Sequence, residues 1–130
     1  MTRRLLALAF VLAASAFAQQ QRVFELRTYT CAEGKLEDLK KRFRDHTIEI
    51  FARHGMESIG YWVPQDGERS KNTLIYIIAH ASREAATKNW QDFTNDPEWK
   101  KVSADSNANG RVVLKTESVF MDPTDFSKLK

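Results

Sequence analysis

Eight residues near the start of the chain, VFELRTYT from Val23 to Thr30, constrain the fold more than any other stretch. They are rich in β-branched and aromatic residues and alternate with a period of two. Phe24 and Leu26 fall on one face, and Val23, Glu25, Arg27 and Tyr29 on the other. A strand with one apolar face and one face carrying two charges and a phenol belongs in a sheet with a helical layer on one side only. The pattern predicts Phe24 and Leu26 beneath that layer, with Glu25 and Arg27 turned away from it.

The remaining elements fix the plan. After Gly34, KLEDLKKRFRDHTIEIFARHG reads as a helix with Leu36, Leu39, Phe43, Ile50 and Phe51 in one stripe and Gly55 at its end. MESIGYWVPQ alternates as a second strand, and Pro64 with DGERSKN makes a hairpin loop. TLIYIIAH is apolar on both faces, as a central strand is. Ser82 caps a helix through REAATKNWQDF that buries Ala86, Trp90 and Phe93; Asp96 and Pro97 open another short helix carrying Trp99. RVVLKTESVFM is the last strand. The order β-α-β-β-α-β predicts an α+β, ferredoxin-like domain, a four-stranded antiparallel sheet with helices on one face and the first and third strands central.

In that plan the last strand lies beside the first, with Val113, Lys115, Glu117 and Val119 on one side. Opposite charges paired across strands contribute about 0.2–1 kcal/mol each. Lys115 and Glu117 are therefore expected to meet Glu25 and Arg27 on the face away from the helices. A half-polar face of that length needs a cover, and two sheets closing face to face in a homodimer, as a dimeric α/β barrel, supply one.

The chain begins MTRRLLALAFVLAASAFA: two arginines, an apolar run from Leu5 to Ala14, and small residues at Ala16 and Ala18. That layout predicts a signal peptide over residues 1–18, a mature domain over 19–130 starting at Gln19, and export to the periplasm or medium. The apolar run is shorter than the roughly 20 residues a membrane-spanning helix needs, so no span is expected after cleavage. Removing Arg3 and Arg4 leaves a surplus of one basic residue over the 17 acidic ones. Such a balance has no nucleic-acid footprint. The single cysteine, Cys31, cannot form an internal disulfide, so the exported domain must be held by its core.

Four short segments, ELRTYT, ARHG, GYW and NDPEW, stand in an order and at spacings that resemble the NIPSNAP proteins from about Val23 to Met121. The resemblance implies a dimeric α/β barrel, related in architecture to antibiotic-biosynthesis monooxygenases, muconolactone isomerases and haem-degrading enzymes. It implies no settled activity and leaves the cofactor open.

Chemistry is therefore read residue by residue. His46 lies on the flank of the first helix's stripe, where an imidazole could reach a pocket between helix and sheet and act with Tyr29 in acid–base catalysis. His54 ends the same helix and is a second candidate, for ligand or haem binding. His80 ends the third strand, placed to bridge to the next helix. Arg27, with its guanidinium fork, and Tyr29 suit an anionic or phenolic ligand. Trp62 and Trp99 are candidate walls of an aromatic pocket. No metal-ligand spacing, phosphate loop, nucleophile elbow or dinucleotide fingerprint occurs in the sequence. Three functions fit: a barrel that binds a small aromatic or apolar molecule, a cofactor-independent monooxygenase or isomerase, and a haem-binding protein through His46 or His54.

Overall fold

The computed structural model describes residues 21–130. The predicted signal peptide lies outside them, and so does its junction with the domain. β1 (Val23–Cys31) leads through a turn into α1 (Leu36–Arg42), a π-helical turn (Phe43–Thr47) and α2 (Ile48–Arg53), which together make one continuous helix. β2 (Glu57–Trp62), a short helix α3 (Arg69–Asn72) in the hairpin loop and β3 (Thr73–His80) follow. α4 (Arg83–Asn95), α5 (Pro97–Ser106) and β4 (Val113–Met121) complete the domain. The sheet is antiparallel in the order β2-β3-β1-β4, the ferredoxin-like arrangement with β1 and β3 central.

Local chemistry explains the element ends. The Ser82 hydroxyl accepts from the Ala85 amide and starts α4. Asp96 accepts from the Glu98 amide, and Pro97 fills the first position of α5. Gly55 takes φ 75° after the end of α2, a left-handed conformation that lets the chain turn back into β2. The first-helix stripe packs as its period requires: Leu36, Leu39, Phe43, Ile50 and Phe51 are all buried, against Tyr76 and Ile78 of β3. α5 runs for ten residues and is longer than the short helix expected there.

The faces of β1 are the reverse of the expectation. Glu25, Arg27 and Tyr29 point to the helices, and Phe24 and Leu26 lie on the open face. Register settles it: Glu25 pairs with Ile78, Arg27 with Tyr76 and Tyr29 with Leu74, all on the helix side of β3. Lys115 and Glu117 do lie on the open face, opposite Thr30 and Thr28, but they meet neither Glu25 nor Arg27. Arg27 faces Ser118 instead. Val113 leaves their row at the irregularity between Thr30 and Cys31 and packs into the core. Charges are stable under the helices because they satisfy one another there; three neighbouring elements, β3, α4 and β4, supply partners for Glu25, and only Arg27, on β1 itself, is close to it in sequence.

The open face carries Leu26, Ile75, Ile77, Val119 and Trp62. Gly60 leaves room beside it for the Trp62 indole, which is 51% exposed. Part of this face is covered by the segment after β4: Pro123 and Leu129 close over Phe24, Ile77 and Met121. Gln21 donates to the Pro123 carbonyl and Arg22 to the Lys130 carbonyl, which hold that segment in place.

Candidate functional site

The helix face of the sheet holds a buried polar network centred on Glu25, which is 1% exposed. Its Oε1 accepts from Trp90 Nε1 of α4 at 2.7 Å and from His80 Nε2 of β3 at 2.9 Å. Its Oε2 accepts from Arg27 Nη1 and from the Ser118 hydroxyl of β4, each at 2.7 Å. Asn89 of α4 donates to His80 Nδ1 at 3.2 Å, so the proton of the neutral ring sits on Nε2, facing Glu25. Burial alone would raise the Glu25 pKa, but the hydrogen bonds from His80, Ser118, Trp90 and Arg27 overcome it and hold the carboxyl at about 2.

Arg27 is thereby held along one edge. Its guanidinium lies 4.2 Å from the centroid of the Trp90 ring, and its Nη2 donates to the Tyr29 hydroxyl at 3.3 Å. Its Nε is buried with no acceptor. Tyr76 donates to the Tyr29 oxygen at 2.8 Å. Burial, reinforced by Tyr29, raises the Tyr76 pKa well above that of a free phenol, so Tyr76 keeps its proton. The Tyr29 oxygen thus accepts two hydrogen bonds, and no acceptor for its own proton is present among the described residues. Around the two phenols stand Phe43, 5.1 Å from Tyr76, and Tyr61, stacked on Tyr76 at 5.3 Å. On the β4 side, Thr116 and Ser118 share the helix face with Tyr29 and Arg27 yet stay exposed. The helix layer leaves that edge of the sheet open, and Arg27 and Tyr29 form its inner wall.

The other candidates lie elsewhere. His46 is exposed on the π-turn and faces a groove between α1 and α5; it does not reach a pocket between helix and sheet. The stripe holds across the π-turn, with Ile50 and Phe51 buried beyond it, and His46 at its flank turns outward. Thr47 takes the inward position, with its hydroxyl bonded to the Arg42 carbonyl. His54 Nε2 bonds Asp96 Oδ2 at 2.7 Å, and the same oxygen accepts from Arg53 at 2.8 Å. The bonds from His54 and Arg53 push the Asp96 carboxyl well below the usual carboxylate range. This cluster pins the end of α2 to the start of α5, a structural task that occupies the nitrogen a haem would need. Trp99 packs on Phe93 with ring centroids 4.5 Å apart. Trp62 is on the open face, away from the network. Among the described residues no three of His, Cys, Asp and Glu are grouped to hold a metal, and no helix is long and apolar enough to cross a membrane.

Sequence reasoning treated Glu25 as part of a charge ladder and passed over Tyr76. A tyrosine inside a strand apolar on both faces was the available signal, because a buried phenol needs a partner.

The four segments singled out in the sequence now have structural meanings. ELRTYT supplies Glu25, Arg27 and Tyr29; ARHG and NDPEW meet in the Arg53–His54–Asp96 cluster; GYW supplies Tyr61 against Tyr76. The NIPSNAP family model matches residues 24–128. The chain belongs to the NIPSNAP family. Two NIPSNAP family proteins from Agrobacterium tumefaciens are similar in structure. One, described as of unknown function, has a TM-score of 0.73 and 25% identity over 85% of this chain and 96% of its own. The second has a TM-score of 0.73 and 26% identity over 84% of this chain and 99% of its own. A Streptomyces coelicolor monooxygenase, ActVA-Orf6, solved with nanaomycin D, has a TM-score of 0.57 and 15% identity over 81% of this chain and 89% of its own. At that identity it shares the fold with this NIPSNAP protein. No curated protein sequence matches the chain.

Proposed function

We propose that this NIPSNAP protein binds a small aromatic molecule carrying a phenolic or carbonyl oxygen at the open β4 edge of its helix-covered face. The observation that carries this reading is the state of Tyr29: two donors fix its oxygen, and its proton has no partner. Arg27 beside it is charged, rigidly held by Glu25 and partly accessible, with a side chain 15% exposed. Trp90, Phe43 and Tyr61 give the surroundings an aromatic character suited to a flat ligand. A second reading makes the same phenol a proton donor in cofactor-independent oxygenation or isomerisation; the fold shared with a monooxygenase that holds nanaomycin D supports it by analogy.

Tyr29→Phe tests both. The ring stays but the buried Tyr76 hydroxyl loses its acceptor, so the protein should remain folded with stability lower by about 1–3 kcal/mol. Affinity for 1-naphthol, followed by its fluorescence, should fall about tenfold, the value of one hydrogen bond to an oriented group. Unchanged affinity would place the ligand elsewhere.

We further propose that the protein works as an exported homodimer closed through the open sheet face, where Leu26, Ile75 and the exposed Trp62 and Val119 await cover. The mature protein should begin at Gln19 by mass and elute as a dimer in light-scattering chromatography. Val119→Asp, on a side chain 53% exposed, should give a folded monomer. A dimer that survives this change sinks the proposed interface.

A further inference from the structure

A groove of about 550 Å³ lies between α1, the π-turn and α5, away from the Glu25 network. At its floor is Arg42, only 8% exposed. Its Nη1 donates to the Ser106 hydroxyl at 3.1 Å, its guanidinium lies 5.2 Å from the centroid of Trp99, and its Nε is buried without an acceptor. No carboxylate pairs with it among the described residues; the ionisable groups acting on it are Tyr29, Cys31 and Tyr76. Burial lowers its pKa, yet an arginine stays protonated in proteins. A buried cation with no counter-ion is strongly unfavourable, and the fold retains it beside an open groove. The π-turn begins at the next residue, and such turns concentrate at functional sites.

We propose that this groove is a second ligand site, for a small monocarboxylate, in which Arg42 carries the counter-charge, Ser106 orients the guanidinium while giving its own proton to the Ser103 carbonyl, and Asn109 orients the bound oxygens. The rim selects the charge of the ligand. Asp38 is paired with Lys35 at 3.5 Å, and once the paired groups are set aside Lys41 and Arg42 face Asp45, a surplus of one positive charge that a single carboxylate balances and a dianion such as phosphate exceeds. Lys101 is already paired with Asp105 at 2.7 Å and Glu98 with Arg53 at 2.8 Å, which leaves Arg42 as the unpaired cation at the floor. Val102 offers an apolar patch for the ligand's body. This site stands independently of the one at Tyr29.

Sodium benzoate, sodium phosphate and sodium chloride at matched ionic strength, compared by thermal shift and calorimetry on the purified protein, test the assignment. Benzoate should raise the melting temperature of wild type, by mass action on the folded state, more than the other two salts do. Arg42→Met should melt at or above wild type in chloride, because the orphan charge is gone, and lose the benzoate response, with affinity down about tenfold or more. Ser106→Ala, which removes the hydroxyl that holds the Arg42 guanidinium, should weaken benzoate by a few-fold and lower the melting point slightly while the protein stays folded. Tyr29→Phe should keep the response. A benzoate response retained in Arg42→Met, one lost in Tyr29→Phe but not in Arg42→Met, or none in wild type would each overturn the assignment; the second of these would move the carboxylate to the Tyr29 site.

Discussion

Glu25→Leu should cost about 3–5 kcal/mol of folding stability, the usual result of breaking a buried ion pair by removing one partner. The change is close in volume, so the loss is electrostatic and does not come from a cavity. It strands four donors at once: the Arg27 guanidinium, the Trp90 indole N–H, the His80 imidazole and the Ser118 hydroxyl. Urea unfolding gives the number directly from the midpoint at constant slope. Coupling to Arg27 supplies the control. Glu25→Leu with Arg27→Met removes the uncompensated charge, and the double variant should recover about 1–4 kcal/mol relative to Glu25→Leu alone. If Glu25→Leu loses less than about 1 kcal/mol, a typical figure for exposed pairs, then Glu25 is wet and the network is a surface feature.

The same network shows which parts of this molecule could be read from its sequence. Strand and helix positions were legible because their signals are local: the double apolarity of β3, the Ser82 and Asp96 caps, and the glycine after α2 each act within a few residues. The facing of β1 was not. Hydropathy assigns a charged row to solvent, and here that row is buried because His80, Trp90 and Ser118 converge on Glu25 from 55, 65 and 93 positions along the chain. Nothing within β1 announces those partners. The apolar row then takes the open face, where part of it is covered by the segment after β4. His46 failed for a different reason. His46 stands on the flank of the stripe that runs from Leu36 to Ile50, where the helical period alone does not decide between core and solvent, and Thr47, nearer the stripe's centre, is the buried neighbour. Of the candidate site, Arg27 and Tyr29 were legible as residue types suited to an oxygen-bearing ligand. Their orientation was fixed only by tertiary hydrogen bonds.

Acid should unfold this domain in a window set by Glu25. Its carboxyl titrates at about 2 in the folded protein, against an ordinary value of 4.5. As pH falls below the ordinary value, the unfolded chain takes up a proton that the folded chain refuses, and each step down favours unfolding. The stabilisation is fully present above about pH 4.5 and is lost as pH falls towards about 2; the interval corresponds to about 3 kcal/mol. Asp96, lowered by His54 and Arg53, acts in the same direction. Urea midpoints measured from neutral pH down to about 2 separate the two, with Glu25→Gln as the reference. Glutamine keeps the shape and cannot titrate. Its curve should start well below wild type at neutral pH, stay flatter through the window, and approach wild type at the acid end, where Glu25 itself becomes neutral. Two curves that run parallel throughout would assign the acid sensitivity to Asp96 and other carboxylates, and would mean that the bonds converging on Glu25 persist when it is protonated.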